Sequence, residues 1–375
     1  MDASDLDRLA ANFLTQANKL QPGERLWLEY QGDGAKPLAM ACEAEIRKMG
    51  GIPHVVDRGA VFENELLATA TDADLERLGR DDLATMKEMS AYIRIRDVGD
   101  APLLTASLED QARLSAALRP VTDHRVSHTK WLVVQSPTEA FARACKMELP
   151  AFEKFYKDAC LFDYSRMYKP AKVLADVMTQ ARDVKIIGKD TNLTFSIAGI
   201  GAKECVGERN IPDGECYAAP VAGTTNGTVL FGPSEYLGKT FTQLYLEYSE
   251  GKIVKAVGGN ERETADLNTI LDMDEGARRP GEFAIAFHPL ISEPVGEILF
   301  DEKIRESWHM ANGAAYKGKT DNGNRSRNHW DKVQIQRESC GGGEIWFDGR
   351  LIRKDGIFVV PELLALNPDR LLGPA

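Results

Sequence analysis

The sequence has few cysteines, and their spacing excludes two common roles. The six cysteines of the 375-residue chain are scattered, and no two of them form a Cys-x-x-Cys pair. This spacing disfavours a zinc site built from thiolates and a small fold held by disulfides. We therefore expect reduced, mostly buried cysteines in a cytoplasmic protein.

The sequence also lacks long apolar runs and an excess of basic residues. The first residues, Met1 to Asp7, are acidic and contain no apolar core, which argues against a secretory signal. No stretch approaches the ~20 apolar residues that span a bilayer. The net charge of −11 disfavours a nucleic-acid binder that acts through a general basic field. We expect neither a membrane nor a nucleic acid as a partner.

Several catalytic and nucleotide-binding motifs are missing. There is no Gly-x-Ser-x-Gly, so a serine hydrolase is disfavoured, and no Gly-x-Gly-x-x-Gly follows the first predicted strand. Residues 232–240 resemble a phosphate-binding loop, but five residues separate the glycines where the motif needs four. Pro233 also removes a backbone donor. We interpret this segment as a loop.

The first half of the chain alternates helical and strand-like patterns. The helical spacing of apolar residues covers 3–19, 36–49, 104–117, 138–147 and 150–160. The strand-like runs are 26–30, 52–56, 91–95 and 131–134. Strands that alternate with helices indicate a parallel sheet covered by helices. We predict an α/β, Rossmann-like layered domain over residues 1–183.

After a predicted helix at 171–181 the pattern becomes β-rich. Short apolar runs are separated by turn residues at 184–187, 193–197, 228–231, 243–248, 253–257, 282–287 and 345–351. Helical pieces are predicted at 262–272 and 298–307. Such runs are typical of hairpins in an antiparallel or mixed sheet. We predict a β-rich α+β metal-binding domain over residues 184–375.

Residues suited to metal binding lie in this second half. His329 and Asp331 are two positions apart, so an extended strand would point both to one face while Trp330 packs on the other. The other candidates lie upstream and are His309, Glu215 and Glu282. Imidazole nitrogen and carboxylate oxygen are ligands for Zn, Mn and Co, and a two-metal site needs roughly five or six of them. The inventory therefore suits one or two divalent ions.

Each of these residues also has a structural interpretation. A lone His-x-Asp pair is commonly a surface feature, and Glu215 lies in a turn-like segment where an exposed glutamate needs no explanation. Glu282 could cap the apolar strand that follows it, and His309 could be a hydrogen-bonded core histidine. Spacing alone leaves both interpretations open.

Four ordered segments resemble the thermophilic metalloaminopeptidase family, of the aminopeptidase T, PepS and AmpS type. The segments are 214–220 with 226–228, 274–282, 300–302 with 309–316, and 324–331. The resemblance implies two divalent ions, Zn, Co or Mn, bound by Glu215, Glu282, His309, His329 and Asp331. It places Tyr316 in the active site, where its hydroxyl could donate to the oxyanion, and we take Glu302 as the candidate general base. It also implies a homodimer that removes N-terminal residues from short peptides.

A second family on the same fold provides an alternative. Dihydroxypyridine ring-cleaving dioxygenases resemble these peptidases but use one iron held by two histidines and a carboxylate, which His309, His329 and Asp331 would satisfy. The presence of both Glu215 and Glu282 favours the dinuclear hydrolytic site. The sequence departs from the peptidase pattern in a short gap between His309 and His329, in the spacing of Glu302, and in Lys332-Val333, where an aromatic residue is usual.

Overall fold

The protein is described by a computed structural model that covers residues 1–97 and 105–374. Contacts divide the chain into two compact units. The first unit comprises Met1–Phe162 and Gly207–Pro212, and the second comprises Asp163–Val206 and Asp213–Ala375. Among the described residues, no helix combines the length and the apolar character needed to cross a membrane.

The first unit contains a four-stranded sheet in which every strand is parallel to its neighbours. Its strands are β1 (Arg25–Tyr30), β2 (Ile52–Asp57), β3 (Ala91–Arg96) and β4 (Lys130–Gln135), in the order β2-β1-β3-β4. The helices are α1 (Ala3–Asn12), α2 (Lys36–Lys48), α3 (Ala60–Thr69), α4 (Asp72–Met86), α5 (Leu108–His128), α6 (Glu139–Ala144) and α7 (Leu149–Cys160). A π-helical turn, Phe13–Ala17, extends α1. The predicted parallel α/β sheet is confirmed, and its Rossmann-like classification stays a prediction.

Three helices of this unit differ from the sequence prediction. α3 and α4 were not predicted, although Thr71 and Asp74 form a capping box at the start of α4. α5 continues through Pro120 to His128, well past the predicted end at residue 117. The first residue of that predicted helix, 104, lies outside the described residues.

The second unit begins with α8 (Ser165–Gln180) and is otherwise dominated by antiparallel strands. An eight-stranded sheet has the order β13-β12-β9-β6-β5-β17-β18-β19. Its strands are β5 (Asp183–Gly188), β6 (Thr191–Ser196), β9 (Asn226–Phe231), β12 (Leu244–Ser249), β13 (Lys252–Gly258), β17 (Gly343–Phe347), β18 (Arg350–Lys354) and β19 (Ile357–Phe358). The predicted β-rich character of this half is confirmed.

A five-stranded antiparallel sheet forms the rest of this unit, in the order β16-β15-β14-β8-β7. Its strands are β7 (Lys203–Cys205), β8 (Glu215–Ala218), β14 (Pro280–Ala286), β15 (Ser307–Gly313) and β16 (His329–Ile335). The remaining elements are β10 (Ser234–Tyr236), β11 (Lys239–Phe241), α9 (Glu261–Leu271), α10 (Ile298–Asp301), α11 (Pro368–Leu372) and two 3-10 turns, Glu338–Cys340 and Pro361–Leu366.

Three predictions for this half are corrected. The helix predicted at 298–307 is confined to α10, and Ser307 instead begins β15, an interior strand of the five-stranded sheet. The loop at 232–240 contains the hairpin β10–β11. α8 begins at Ser165, earlier than predicted, and groups by its contacts with the second unit. The boundary near residue 183, as a limit between independent domains, stays a prediction.

Candidate metal centre

One face of the five-stranded sheet carries all five residues that the sequence suggested as metal ligands. Glu215 lies in β8, Glu282 in β14, His309 in β15, and His329 and Asp331 in β16. In the strand register, Glu282 and Asp331 both pair with Ala311. Residues directly paired across strands, and alternate residues along a strand, share a face. The pairing therefore gathers side chains that are more than a hundred positions apart in the chain.

Small residues occupy the positions between these side chains. His309 pairs with Ala284, and Glu215 pairs with Ala286. Ala311 lies between the carboxylates of Glu282 and Asp331, which pair with it from the two neighbouring strands. Methyl groups at these positions leave space for imidazole and carboxylate groups to meet above the sheet.

The opposite face of the sheet is packed with aromatic residues. Trp330 is buried and stacks on Tyr236, with ring centroids 4.9 Å apart, and contacts Phe241 at 5.1 Å. Phe283 and Trp308 pack together on the same side at 6.2 Å. This packing anchors β14, β15 and β16. Trp330 thus points away from its neighbours His329 and Asp331, as the alternation predicts.

His309 lies at the centre of the cluster and is 1% exposed. Its Nε2 atom is 3.4 Å from Glu215 Oε2, 4.0 Å from Glu282 Oε1 and 3.9 Å from Asp331 Oδ1. Burial lowers its pKa, which favours the neutral imidazole that binds metals.

His329 lies at the edge of the cluster and is held by the backbone. Its Nδ1 donates to the carbonyl of Ala314 at 2.8 Å, so Nε2 faces the carboxylates. That Nε2 atom is 3.1 Å from Glu282 Oε2 and 3.5 Å from Asp331 Oδ2. Burial disfavours the imidazolium, but the two carboxylates and the Ala314 carbonyl raise the pKa of His329 to about 10. Burial likewise opposes ionisation of Asp331, yet the histidines lower its pKa.

A buried lysine adjoins the cluster. The Lys303 ammonium is 2.6 Å from Glu215 Oε1, 2.8 Å from Glu302 Oε1 and 3.6 Å from Asp213 Oδ1. Burial disfavours its charge, but these carboxylates raise its pKa well above the usual value. Burial also raises the pKa of Glu215, and it raises the pKa of Glu302 to about 7. Glu302 lies beside the predicted ligands, because it shares the Lys303 ammonium with Glu215.

Tyr316 stands at the open side of the cluster and is half-exposed. Its ring centroid is 5.0 Å from that of His329 and 5.5 Å from that of Tyr217. Burial of its hydroxyl and the nearby carboxylates raise its pKa well above 10. The phenol therefore keeps its proton and can donate a hydrogen bond.

The donor set fits divalent metal ions. We call Glu215, Glu282 and His309 the inner group, and Glu282, His329 and Asp331 the outer group. Each group offers three ligand atoms that lie within 4.8 Å of one another, and so does a third set formed by Glu302, His309 and Asp331. Glu215 Oε2 and Asp331 Oδ1 are buried without a hydrogen-bond partner. Buried acceptors without donors are costly, and a bound cation would satisfy them.

Sequence reasoning missed four neighbours of the cluster. Tyr217 follows Glu215 by two residues in β8, so strand alternation could have found it. Asp213 and Lys303 lie outside regular strands, and no periodic signal marks them. Cys205 also forms a close group with Asp213 and Glu215, although its spacing in the sequence carries no motif.

The fold and the cluster define a class of protein, namely one that binds divalent metal through carboxylate and imidazole side chains on a β-sheet. The comparison with protein families then identifies the family. The model of the thermophilic metalloprotease (M29) family matches residues 2–339, so the chain belongs to that family. The resemblance noted in the sequence is thereby confirmed, and membership of a metalloprotease family implies a divalent metal cofactor.

Similar proteins include a curated relative and two solved structures. Aminopeptidase 2 from Geobacillus stearothermophilus is 34% identical over 122 residues, a match that spans 30% of this chain and 28% of that protein. Wild-type AmpT from Thermus thermophilus has a TM-score of 0.77 at 20% identity and covers 95% of this chain and 99% of its own. The 2,5-dihydroxypyridine dioxygenase from Pseudomonas putida KT2440 has a TM-score of 0.65 at 12% identity. That match covers 97% of this chain and 99% of the dioxygenase chain. These two structures establish the fold.

Proposed function

We propose that the protein is a metal-dependent aminopeptidase that uses two divalent ions, Zn, Co or Mn. The observation that carries this proposal is the position of both glutamates among the histidines. Glu282 contributes to the inner group and to the outer group, so it can bridge two ions. Two-metal hydrolytic sites use such shared carboxylates. Membership of the metalloprotease family supports a hydrolytic reaction on peptides.

Glu215 and His309 would hold one ion, and His329 and Asp331 would hold the other. Glu282 belongs to both groups and could contribute to both ions. Bound divalent ions lower the pKa of water and polarise a carbonyl oxygen, which is the chemistry that peptide hydrolysis needs. The fixed tautomer of His329 supports this assignment, because its Nδ1 is committed to Ala314 and its Nε2 is directed into the cluster.

The surrounding residues supply proton transfer and orientation. Glu302 is the proposed general base, and its pKa of about 7 lets its carboxylate accept a proton from water near neutral pH. Tyr316 is proposed to donate its phenolic hydrogen to the oxygen of the tetrahedral intermediate. The carboxylates at the cluster would also attract the free α-amino group of a short peptide. We also propose a homodimer, from the family resemblance, and a cytoplasmic location, from the scattered cysteines of the sequence.

A second function on the same fold is a mononuclear iron dioxygenase. The set of His309, His329 and Asp331 contains the two histidines and one carboxylate of such sites. The structural likeness to 2,5-dihydroxypyridine dioxygenase supports this alternative through the fold alone. The two glutamates within reach of His309 favour the peptidase.

The test is hydrolysis by the full-length protein after removal of metal. We expect chelation to abolish the release of N-terminal residues from a panel of short peptides, and Zn, Mn or Co to restore it. Peptides with an acetylated amino terminus should remain uncleaved, since the proposed substrate has a free α-amino group. Full activity in metal-free protein would contradict the proposal. Iron-dependent oxygen uptake with a dihydroxylated aromatic ring, without peptide hydrolysis, would favour the dioxygenase.

A further inference from the structure

The buried ammonium of Lys303 is unevenly placed with respect to the two groups of ligands. It contacts Glu215 of the inner group at 2.6 Å, and it contacts Glu302 at 2.8 Å. Its ion pairs in the described structure, which include Asp213 at 3.6 Å, involve no member of the outer group. Lys303 itself is 1% exposed, so solvent does not screen its charge.

This contact limits what Glu215 can offer a metal ion. Its Oε1 atom accepts from the ammonium, and Oε2 is the oxygen that remains buried without a partner, 3.4 Å from His309 Nε2. Glu215 therefore offers a metal ion one oxygen, Oε2, that has no hydrogen bond to lose. An ion in the inner group would lie near a fixed positive charge, and like charges repel strongly where water is excluded.

In the described structure the outer group makes ion pairs with His309 and among its own members, but with no lysine or arginine. Its neighbouring lysine, Lys332, is also buried, but alternation in β16 places it on the opposite face of the sheet from Asp331. The Lys332 ammonium donates to the carbonyl of Trp330 at 2.5 Å and lies over the indole ring. The Lys303 ammonium, by contrast, contacts Glu215, one of the three proposed ligands of the inner group.

We propose that Lys303 is a built-in counter-cation that makes the two metal positions unequal. The outer group fills first, and the inner group binds its ion at least tenfold more weakly. Lys303 is thus a positioning residue, which neutralises Glu215 and Glu302 before the second ion arrives. This inference rests on the proposed two-metal site.

Manganese titration of the chelated full-length protein tests the inference. Bound ions are counted by calorimetry and by the EPR signal of free Mn²⁺. The wild-type protein should show two affinities that differ by at least tenfold, or one measurable ion. Lys303→Met removes the charge with little change in length, and it should bind two ions with affinities within about threefold. Lys332→Met is the matched control, because it makes the same substitution at a buried lysine on the other face of the sheet and should keep the wild-type ratio.

The outcomes separate this inference from the proposed function. Two ions of equal affinity in the wild-type protein would overturn the role of Lys303 and leave the two-metal site intact, even if the Lys303→Met variant did not fold. The role of Lys303 would also be overturned if the folded Lys303→Met variant kept the wild-type ratio of the two Mn²⁺ affinities, or still bound one measurable ion as the wild-type protein did. No metal binding by the wild-type protein would overturn both.

Discussion

Individual charged residues compensate the buried carboxylates of the cluster. Carboxylates buried away from water are costly unless cations or hydrogen bonds compensate them. The chain supplies two such cations, the Lys303 ammonium beside Glu215 and the His329 imidazolium beside Glu282. A metal ion must displace the proton of His329, so metal binding should weaken as the pH falls.

Lys332 allows a test of the electrostatics on the other face of the sheet. Burial lowers its pKa to about 7, whereas the same group in the unfolded chain titrates near 10.5. The unfolded chain therefore binds more protons between these values, and stability rises with pH over that range. Relative to Lys332→Met, the free energy of unfolding of the wild-type protein should rise by about 2 kcal/mol from about pH 7 to about pH 9.

The measurement is urea denaturation of chelated protein at both pH values. Lys354→Met serves as the control, because Lys354 is an exposed lysine of the same unit. Its difference from the wild-type protein should not depend on pH. A constant difference for Lys332→Met would show that burial does not lower the pKa of this group in the folded protein.

Among single residues, the sequence revealed those candidate ligands whose spacing along the chain matches a secondary-structure period. The i and i+2 spacing of His329 and Asp331 matches the strand that carries them. Lys303 gave no such signal, because its role comes from contacts with Glu215 and Asp213, residues distant in the chain. The roles of the candidate ligands in metal binding stay predictions.

Among the structural elements, the hairpin β15–β16 matters most for the site. It holds three of the predicted ligands, and its strands pair from Ser307↔Ile335 to Gly313↔His329. At Gly313 the backbone has φ +115°, and a Cβ atom there would lie 2.1 Å from the carbonyl oxygen of Asn328. Only glycine allows the two strands to approach so closely beside His329.

Replacement of this glycine should damage both stability and metal binding. We expect Gly313→Ala to lower the free energy of unfolding by more than about 1 kcal/mol, since it adds a clash to an unfavourable backbone conformation. The shift of Asn328 should also displace His329 and weaken Mn²⁺ binding at the outer group. Thermal unfolding and manganese titration measure the two effects.

Gly318 provides a matched control within the same unit. Its φ is +103°, but a Cβ atom there would meet nothing within 4 Å. Gly318→Ala should therefore show the cost of the backbone conformation without the clash, and it should keep the wild-type metal affinity. Equal losses in the two variants would contradict the steric argument for Gly313.

Hydrophobic periodicity located some strands accurately and missed others. Strands with continuous apolar runs, such as β4 and β14, were located to within a few residues. β15 was not predicted, and its first residue, Ser307, was assigned to the end of a helix. Both faces of β15 are buried, so its residues show no alternation of apolar and polar character. The pairing of β14 with β15 and β16 depends on contacts between distant parts of the chain, which a local pattern does not contain.

For the whole molecule, composition and alternation predicted a parallel α/β part followed by a β-rich part, and both are present. The division at Phe162 and the return of Gly207–Pro212 to the first unit were not predicted. They arise from packing between distant segments rather than from local composition. The homodimer stays a prediction.

The central claim is that two divalent ions bind within the five-stranded sheet of a metalloprotease-family chain. The most direct measurement is anomalous diffraction from crystals of the protein saturated with Mn²⁺ or Zn²⁺. We predict two anomalous peaks, one among Glu215, Glu282 and His309 and one among Glu282, His329 and Asp331. The absence of any peak beside Glu282, with metal bound only at surface residues, would contradict the account.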